Sequence, residues 1–434
     1  MRDPDLGLVR ALGTFMLSCA VINVIVGGGI FRLPAQVSGN LGAASPLAFV
    51  AGALIIIPVT LCFAAAGSRV GATGGPYSYL RQAFGPLAGF LSGALMWICN
   101  VASSAGIAAG LADQAGVIVP QLQGTGPRVA LLVAVYALVI ALNAWGVQIG
   151  GRALVVLATL KLTPLILLAG IGAFFIDWGQ IQLGALPGFA VLGTSMVAVM
   201  FAYSGVETAL IPSGEVRDPA RTVPRAAFAA TLVVVLLYIG LQIVCQATLG
   251  ADLPASKTPI ASTAGALWAP GFGLIMITAT LSMLGFLMGN LLGSSRLLYA
   301  LGRYRYLPQK LAQLSSRKVP LFAILTHGLL ALALSCAGNF EFLILVSGGA
   351  NCLVYLSVAV AAWQLEKRSV RQAQGAPFAL PGGVVTPFLT VLSMLAVLST
   401  LKYGEWAAIT VAMLILAGIY ALLRWLRPPT LSAP

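Results

Sequence analysis

Long apolar runs recur along almost the whole length of this sequence of 434 residues. Most are close to the roughly 20 residues that an α-helix needs to cross a bilayer. Twelve runs can be drawn, near 11–37, 46–66, 87–112, 129–146, 153–176, 189–211, 226–249, 272–301, 322–337, 342–363, 387–401 and 406–423. The pattern predicts an all-α membrane protein with about 12 transmembrane helices.

The amino-acid composition excludes an ordinary soluble domain. Charged residues make up only 8% of the chain and hydrophobic residues 59%, whereas soluble domains carry roughly 25% charged residues. The net charge of +13 could suggest nucleic-acid binding, but there is no basic patch with interleaved aromatic residues. We therefore expect a lipid bilayer, and no nucleic acid, as a partner.

The distribution of Lys and Arg predicts the orientation of the chain. With the N-terminus inside, 19 of the 24 basic residues fall on the inner side or at its helix ends. The outer side receives Arg128, Lys257 and Lys402, while Lys161 and Arg32 lie within spans. Because cytoplasmic loops are enriched in Lys and Arg, both termini are expected in the cytoplasm, with the protein in a plasma membrane, the inner membrane in a bacterium.

Two predicted spans are interrupted by residues that disfavour a helix. Gly27, Gly28 and Gly29 interrupt the first span, and Ser204-Gly205 interrupts the sixth. A glycine inside a helix costs about 1 kcal/mol relative to alanine, and irregular backbone at membrane depth survives only where it is buried or lines a cavity. Alternatively, the glycines only let helices pack closely. Breaks at matching positions of two halves favour a transporter instead.

The matching breaks predict an internal repeat within a single transmembrane domain that covers residues 1–434. Repeat one would span about 11–176 and repeat two about 189–363, each with five helices in opposite orientation. Two peripheral helices would follow at about 387–423. No soluble domain fits between the spans, because the loops are mostly short.

A broken helix presents backbone groups to a ligand. Free amides at the start of the outer half of span 1, those of Gly28, Gly29 and Ile30, would bind a carboxylate at the positive end of the helix dipole. An ammonium would instead be accepted by carbonyls at the ends of the broken halves: Ile25, Phe201 and Ser204. Gly27 and Gly205 shape the same site. This combination suits an α-amino acid.

Two ionisable residues lie inside apolar runs. Glu207 is the only one of the 11 acids that is embedded in a span, and Lys161 is the clearest embedded base. Ionisable groups at membrane depth normally face a cavity or a partner and serve a function. Both residues are therefore candidates for coupling transport to protons.

Four segments carry a family resemblance. They are 27–35 (GGGIFRLPA), 74–85 (GGPYSYLRQAFG), 201–226 (FAYSGVETALIPSGEVRDPARTVPRA) and 295–308 (SRLLYALGRYRYLP). In this order they resemble signatures of the amino acid–polyamine–organocation transporter superfamily. The resemblance implies a LeuT-like fold, with a 5+5 inverted repeat and broken helices 1 and 6. It also implies secondary transport of amino acids by alternating access.

The resemblance assigns roles to the two embedded charges, each with an alternative. Lys161 would place its ammonium where relatives bind a sodium ion and bridge the break in span 1, which implies sodium-independent transport. Alternatively, it extends to the cytoplasmic face, as long basic side chains do. Glu207 falls where the arginine–agmatine exchanger branch has a glutamate proposed to respond to protons. Alternatively, it is a structural carboxylate that bridges helix breaks.

Three residues depart from the family pattern. Gly28 replaces the usual serine. Asn290 falls where the arginine–agmatine exchanger has a tryptophan that packs on its substrate, which disfavours a guanidinium substrate. Arg32 follows the first break, where it either extends to the membrane surface or lines the outer vestibule and disfavours cationic solutes.

The expected function is therefore a secondary active amino-acid transporter, either an exchanger or a proton symporter, with a neutral substrate favoured. A polyamine or cationic antiporter of the same fold is the near alternative, and it would need a second acid in the site. A channel would show pore rings or filter repeats. A membrane enzyme would need a catalytic nucleophile or a set of metal ligands. The chain has a single histidine, His327, so metal clusters and histidine-based catalysis are nearly excluded. No cofactor and no metal are expected.

Overall fold

The computed structural model describes residues 7–175, 188–337, 340–373, 375–401 and 403–425. Within these ranges the regular elements are helices, and the only β-type pairing is an isolated bridge between Leu12 and Val216. Six helical stretches are long and apolar enough to cross a membrane. The prediction of an all-α membrane protein is therefore confirmed.

Sixteen α-helices form the described part of the chain. They are α1 Thr14–Ile25, α2 Leu33–Leu41, α3 Ser45–Arg69, α4 Pro76–Phe84, α5 Pro86–Ile118, α6 Thr125–Ala144, α7 Val147–Gly172, α8 Phe189–Tyr203, α9 Val206–Ala209, α10 Pro219–Leu249, α11 Pro259–Leu267, α12 Gly271–Arg303, α13 Leu321–Ala337, α14 Phe340–Lys367, α15 Val385–Leu398 and α16 Tyr403–Trp425. Every predicted span coincides with one helix or with a broken pair, and α4 and α11 lie in the connections.

The two interrupted spans are broken where the glycines predict. Span 1 consists of α1, a 3-10 turn at Gly29–Phe31, and α2. It runs four residues past its predicted end because α2 continues to Leu41, where Gly42 with φ +54° ends the helix. Span 6 consists of α8 and only the single turn of α9, followed by a 3-10 turn at Ser213–Glu215. The half of span 6 that follows the break is therefore much shorter than a regular half-span.

Both broken spans pack against one long helix, α12. Glycines at every fourth position of α12 form the contact surface: Gly285 faces Asn23, Gly289 faces Val24, and Gly293 faces Thr208. Because glycine has no side chain, the backbones approach closely. In addition, α12 packs on α5 and α7, while α10 packs on α1 and α3. The broken segments thus lie inside the bundle.

We call the side on which α1 begins the terminal side, and the opposite side the far side. Helix α5 runs from the terminal side to the far side, and α12 runs back in the other direction. On the far side, α2 contacts α11 and the 3-10 turn that precedes it. Lys402, which the sequence places on the outer side, lies outside the described residues.

Candidate functional site

The two helix breaks touch each other in the middle of the bundle. Gly205 adopts φ +137°, a conformation that L side chains rarely adopt. A Cβ at this position would lie 2.8 Å from the backbone nitrogen of Ile25 and 2.9 Å from the carbonyl carbon of Val24. Only glycine allows this approach of the two backbones. The tertiary structure therefore joins two segments that lie about 180 residues apart in the sequence.

A cavity of about 30 Å³ lies beside this contact, with room for about two water molecules. Its lining consists of Val24, Ile25, Gly27, Gly28, Gly29, Asn100, Ser103, Ile107, Phe201, Ala202, Ser204, Gly205, Glu207, Thr208, Phe286, Asn290 and Asn351. Of the nine residues predicted to bind substrate, all except Ile30 line it. The Ile30 side chain is fully buried in the packing around the 3-10 turn.

The amides after the first break are available to an acceptor. The first amides of a helical turn have no partner inside the turn. In the described part of the chain, the backbone bonds outside the helices include no acceptor for the amides of Gly28, Gly29 or Ile30. Gly28 and Gly29 line the cavity. An anion in the cavity can therefore reach these donors.

The three predicted carbonyl acceptors are not equivalent. The Ile25 carbonyl accepts from the Gly27 amide at 2.8 Å and from the Tyr238 hydroxyl at 3.1 Å. The Phe201 carbonyl accepts from both the amide and the hydroxyl of Ser204, at 3.2 and 2.7 Å. Since a carbonyl oxygen has two lone pairs, both groups are already occupied by the protein. Among the hydrogen bonds of the described residues, none occupies the Ser204 carbonyl.

Glu207 bridges the second break to a neighbouring helix. Its Oε2 accepts from the Gly205 amide at 2.8 Å and from the Tyr355 hydroxyl of α14 at 2.8 Å. The side chain is buried and lines the cavity. This geometry is compatible with both hypotheses for Glu207. The carboxylate bridges the break to α14, and a change in its protonation would alter its hydrogen bonds to Gly205 and to Tyr355.

Lys161 lies behind the first break and outside the cavity lining. Its Nζ donates to the carbonyls of Val26 at 2.6 Å and Asn23 at 3.2 Å. The Ser282 hydroxyl of α12 donates to the same Val26 carbonyl at 2.7 Å. The Lys161 side chain is fully buried, so it does not extend to the terminal side as the alternative requires. The ammonium instead occupies a cluster of oxygens between α1, α7 and α12.

A polar network beside the cavity was not anticipated from the sequence. The Thr208 hydroxyl donates to Asn100 Oδ1 at 3.1 Å, Asn100 Nδ2 donates to Ser294 at 3.0 Å, and Ser294 contacts Asn290 Oδ1 at 3.3 Å. Asn351, which also lines the cavity, has a buried Oδ1 with no hydrogen-bond partner among the described residues. Asparagines inside apolar runs were the available signal, because uncharged polar groups at membrane depth also need partners.

Packed side chains bound the cavity on both sides. Toward the far side, the side chains of Met283 and Ile107 pack directly on the Gly28 backbone. A Cβ added to Gly28 would lie 3.1 Å from Met283 Cε and 3.2 Å from Ile107 Cδ1. Toward the terminal side, Arg296 of α12 forms a doubly hydrogen-bonded ion pair with Glu215, at 3.0 and 3.2 Å, and neither side chain is exposed. This pairing was not predicted from the sequence.

The residues around Leu12, which we call the Leu12 segment and which precede α1, also pack on the terminal side. The Leu12 amide donates to the Glu215 carbonyl at 2.9 Å, and the Arg217 amide donates to the Leu12 carbonyl at 2.9 Å. Within the described residues, no group of three or more His, Cys, Asp or Glu side chains could hold a metal ion. The site is built from backbone groups, carboxamides, hydroxyls and two buried charges.

Residues 12–424 match the family described as amino acid permease. The chain is 25% identical over 408 residues to a serine/threonine exchanger of Bacillus subtilis, covering 91% of each chain. It is 31% identical over 381 residues to an uncharacterized transporter of Mycobacterium tuberculosis, covering 83% of this chain and 81% of the relative. It is 24% identical over 446 residues to a branched-chain amino acid permease of Lactococcus lactis, covering 95% of both.

The match covers the two broken spans and the helices that enclose the cavity, and it implies the LeuT-like multi-span fold. The curated relatives with assigned activities are amino-acid transporters of several kinds. The predicted family and the predicted class of function, secondary transport of amino acids, are thereby confirmed. The chain belongs to the amino acid permease family of the amino acid–polyamine–organocation superfamily and is a secondary amino-acid transporter.

Proposed function

We propose that this transporter moves a neutral amino acid without sodium. The observation that carries the proposal is the position of Lys161 Nζ among the Val26 and Asn23 carbonyls. Oxygen clusters of this kind suit a hard cation such as sodium. With the ammonium already in place, a sodium ion at the same oxygens would meet a like charge in a region of low dielectric constant.

The charges around the cavity favour a neutral side chain on the substrate. Glu207 is the only carboxylate among the lining residues, and its Oε2 already accepts two hydrogen bonds. The other polar side chains of the lining are carboxamides and hydroxyls. A cationic side chain or a polyamine would need a second acid. A hydroxylated side chain, as in the substrates named for the Bacillus subtilis exchanger, could bond to Asn290 or Asn351, and the narrow cavity favours a small one.

The backbone groups would bind the α-carboxylate and the α-ammonium, which all amino-acid substrates share. The substrate carboxylate would accept from the amides of Gly28 and Gly29, with Ile30 supporting the turn from behind. The substrate ammonium would donate first to the Ser204 carbonyl, since the protein already occupies those of Ile25 and Phe201. Loss of the Tyr238 hydroxyl bond would free the Ile25 carbonyl when α1 and α10 move apart.

Alternating access would use the repeat that the sequence predicts, with repeats at about 11–176 and 189–363 and peripheral helices at about 387–423. The excess of basic residues on the terminal side supports a cytoplasmic position for both termini, in a plasma membrane. Lys161 and Glu207 would couple transport to protons in a symporter, or set the pH range of an exchanger. No enzymatic activity is proposed.

Uptake by purified protein in liposomes tests the proposal. Labelled L-serine, L-threonine and L-leucine are offered with sodium or with potassium as the sole salt cation. We expect uptake of at least one of them at equal rates in both salts. A strict requirement for sodium would contradict the role assigned to Lys161.

Lys161→Ala provides a second test in the same assay. Removal of a buried ammonium leaves the Val26 and Asn23 carbonyls without this donor, so we expect at least a tenfold loss of turnover, about 1.4 kcal/mol in barrier, with expression retained. Thr163→Ala is a matched control, because Thr163 lies on the same helix and is exposed. Wild-type transport by Lys161→Ala would show that Lys161 has no role in transport beyond structure.

A further inference from the structure

The loop between α12 and α13 presents two basic side chains on the terminal side. Arg317 and Lys318 are both exposed, and the sequence from residue 253 to residue 340 contains no acid. The Lys318 amide donates to the Ser315 carbonyl at 2.9 Å, and the Ser315 amide donates to the Val319 carbonyl at 2.9 Å. In this turn Lys318 has φ +59°. Hydrogen bonds therefore hold the backbone that carries both basic side chains.

The turn meets the end of helix α6 on the terminal side. Helices α6 and α13 touch where a Cβ on Gly328 would lie 2.6 Å from Ile140 Cδ1. From this level α6 continues to its C-cap residue, Trp145, while α13 reaches back to its first residue, Leu321. These distances correspond to rises of about 8 and 10 Å. Because the two helices run in opposite directions, Trp145 and Leu321 lie at a similar depth.

Exposed apolar side chains lie beside the basic pair. The guanidinium carbon of Arg317 lies 5.7 Å from the centre of the Trp145 ring, within the range of a cation–π contact. Trp145 is 51% exposed, Phe322 is 48% exposed, and Leu321 is also exposed. Tryptophan is enriched at the level of the lipid headgroups. We call the surface formed by Trp145, Arg317, Lys318, Leu321 and Phe322 the Trp145 surface.

The charge of the Trp145 surface is not neutralised by the described part of the chain. The described carboxylates that form ion pairs on the terminal side do so with other arginines: Glu215 with Arg296, Asp218 with Arg221, and Glu366 with Arg69. No ion pair among the described residues includes Arg317 or Lys318. An anion from outside the protein can therefore supply the opposite charge.

We propose that the Trp145 surface binds an anionic phospholipid. The Arg317 guanidinium binds the lipid phosphate through two parallel hydrogen bonds, Lys318 adds a second positive charge, and the acyl chains pack on Leu321 and Phe322. Basic residues next to a membrane helix attract anionic lipids, and each contributes about a factor of five in affinity. The lipid is a second ligand, so the proposal does not depend on which solute is transported.

Thermal unfolding of the purified full chain in detergent tests the proposal without a transport assay, because a bound lipid raises the unfolding midpoint. Phosphatidylglycerol is titrated into wild type and into the double variant Arg317→Gln and Lys318→Asn, since asparagine tolerates a positive φ. We expect the double variant to need at least about tenfold more phosphatidylglycerol for half of the maximal shift. A titration identical to that of wild type would overturn the proposal.

The double variant Arg221→Gln and Arg225→Gln is the matched control. It removes two exposed charges from the same side of the membrane, but from the start of α10, and should keep the wild-type titration. An equal loss of affinity in this control would mean that lipid binding follows net charge, and would overturn the proposal.

Trp145→Leu is a second variant that leaves both charges in place. Loss of the ring should weaken phosphatidylglycerol binding about threefold, whereas Trp145→Phe keeps an aromatic face and should stay within about twofold of wild type. Because the unfolding midpoint without lipid is measured for every variant, a fold defect is distinguished from a loss of binding. Wild-type affinity in a folded Trp145→Leu would contradict binding at this surface.

Phosphatidylcholine and inorganic phosphate distinguish an anionic lipid from other sources of phosphate. We expect neither to reproduce the shift at the concentration at which phosphatidylglycerol saturates wild type, because the first has no net charge and the second has no acyl chains. An equal shift with phosphatidylcholine would indicate a general lipid contact, and an equal shift with inorganic phosphate would indicate a simple anion site. Either result would overturn the proposal.

Discussion

Glu207 is a buried acid beside the break of span 6. Its isolation in an apolar run of the sequence is enough to identify it as a candidate functional residue. The sequence leaves two roles open, a group that responds to protons and a carboxylate that only bridges a helix break. The structure shows the bridge, with Gly205 on one side and Tyr355 on the other, and so makes the two roles experimentally separable.

The substitution Glu207→Gln separates them because one oxygen, Oε2, accepts both hydrogen bonds. The carbonyl oxygen of glutamine can accept the same two bonds, so the bridge survives while the titratable group is lost. We expect transport to continue with a flattened dependence on pH, measured as initial uptake into liposomes over a series of pH values. A pH profile identical to that of wild type would assign Glu207 to structure alone, and Glu207→Ala serves as the control that removes the bridge.

At the scale of elements, the two broken spans depend on a direct contact between their backbones. The sequence predicts each break separately, from glycines in an apolar run. It cannot predict that Gly205 packs on Val24 and Ile25, because that contact depends on how α12 and its row of glycines hold both spans. The break in span 6 thereby positions the break in span 1, and the cavity forms beside the point where they meet.

Gly205→Ala should disrupt this arrangement. A Cβ would lie within 3 Å of two backbone atoms of span 1, and alanine disfavours φ +137°, a strain of about 1–3 kcal/mol. We expect a lower midpoint of thermal unfolding in detergent and loss of uptake. Gly404→Ala is the matched control, since a Cβ there has no neighbour within 4 Å. Wild-type stability of Gly205→Ala would show that the breaks do not pack as described.

At the scale of the whole molecule, the terminal side is closed by segments from three regions of the chain. The Leu12 segment pairs with residues 215–217, and Glu215 forms a fully buried ion pair with Arg296 of α12. Opening toward this side requires these contacts to separate or to move as one unit. The ion pair joins the region after span 6 to span 8, and the backbone bonds of Leu12 join the N-terminal segment to the same region.

Variants of the ion pair test this closure. Removal of one partner leaves an uncompensated buried charge, which costs about 3–5 kcal/mol, whereas replacement of both by apolar residues is often neutral. We expect Glu215→Leu and Arg296→Met each to lower the unfolding midpoint strongly in detergent, and the double variant to recover most of the loss. Additive losses in the double variant would mean that the two side chains do not stabilise the protein as a pair.

The sequence alone determines the membrane class, the order of the spans, the two breaks, the two embedded charges and the family resemblance. They follow from local properties: the length of apolar runs, the cost of glycine in a helix, and motifs that are continuous in the chain. Which groups meet is established by the packing of whole helices. That packing brings Lys161 Nζ to the Val26 carbonyl, occupies the Ile25 carbonyl with Tyr238, and buries Glu215 against Arg296. Each of these contacts joins residues far apart in the chain, so no local pattern specifies them.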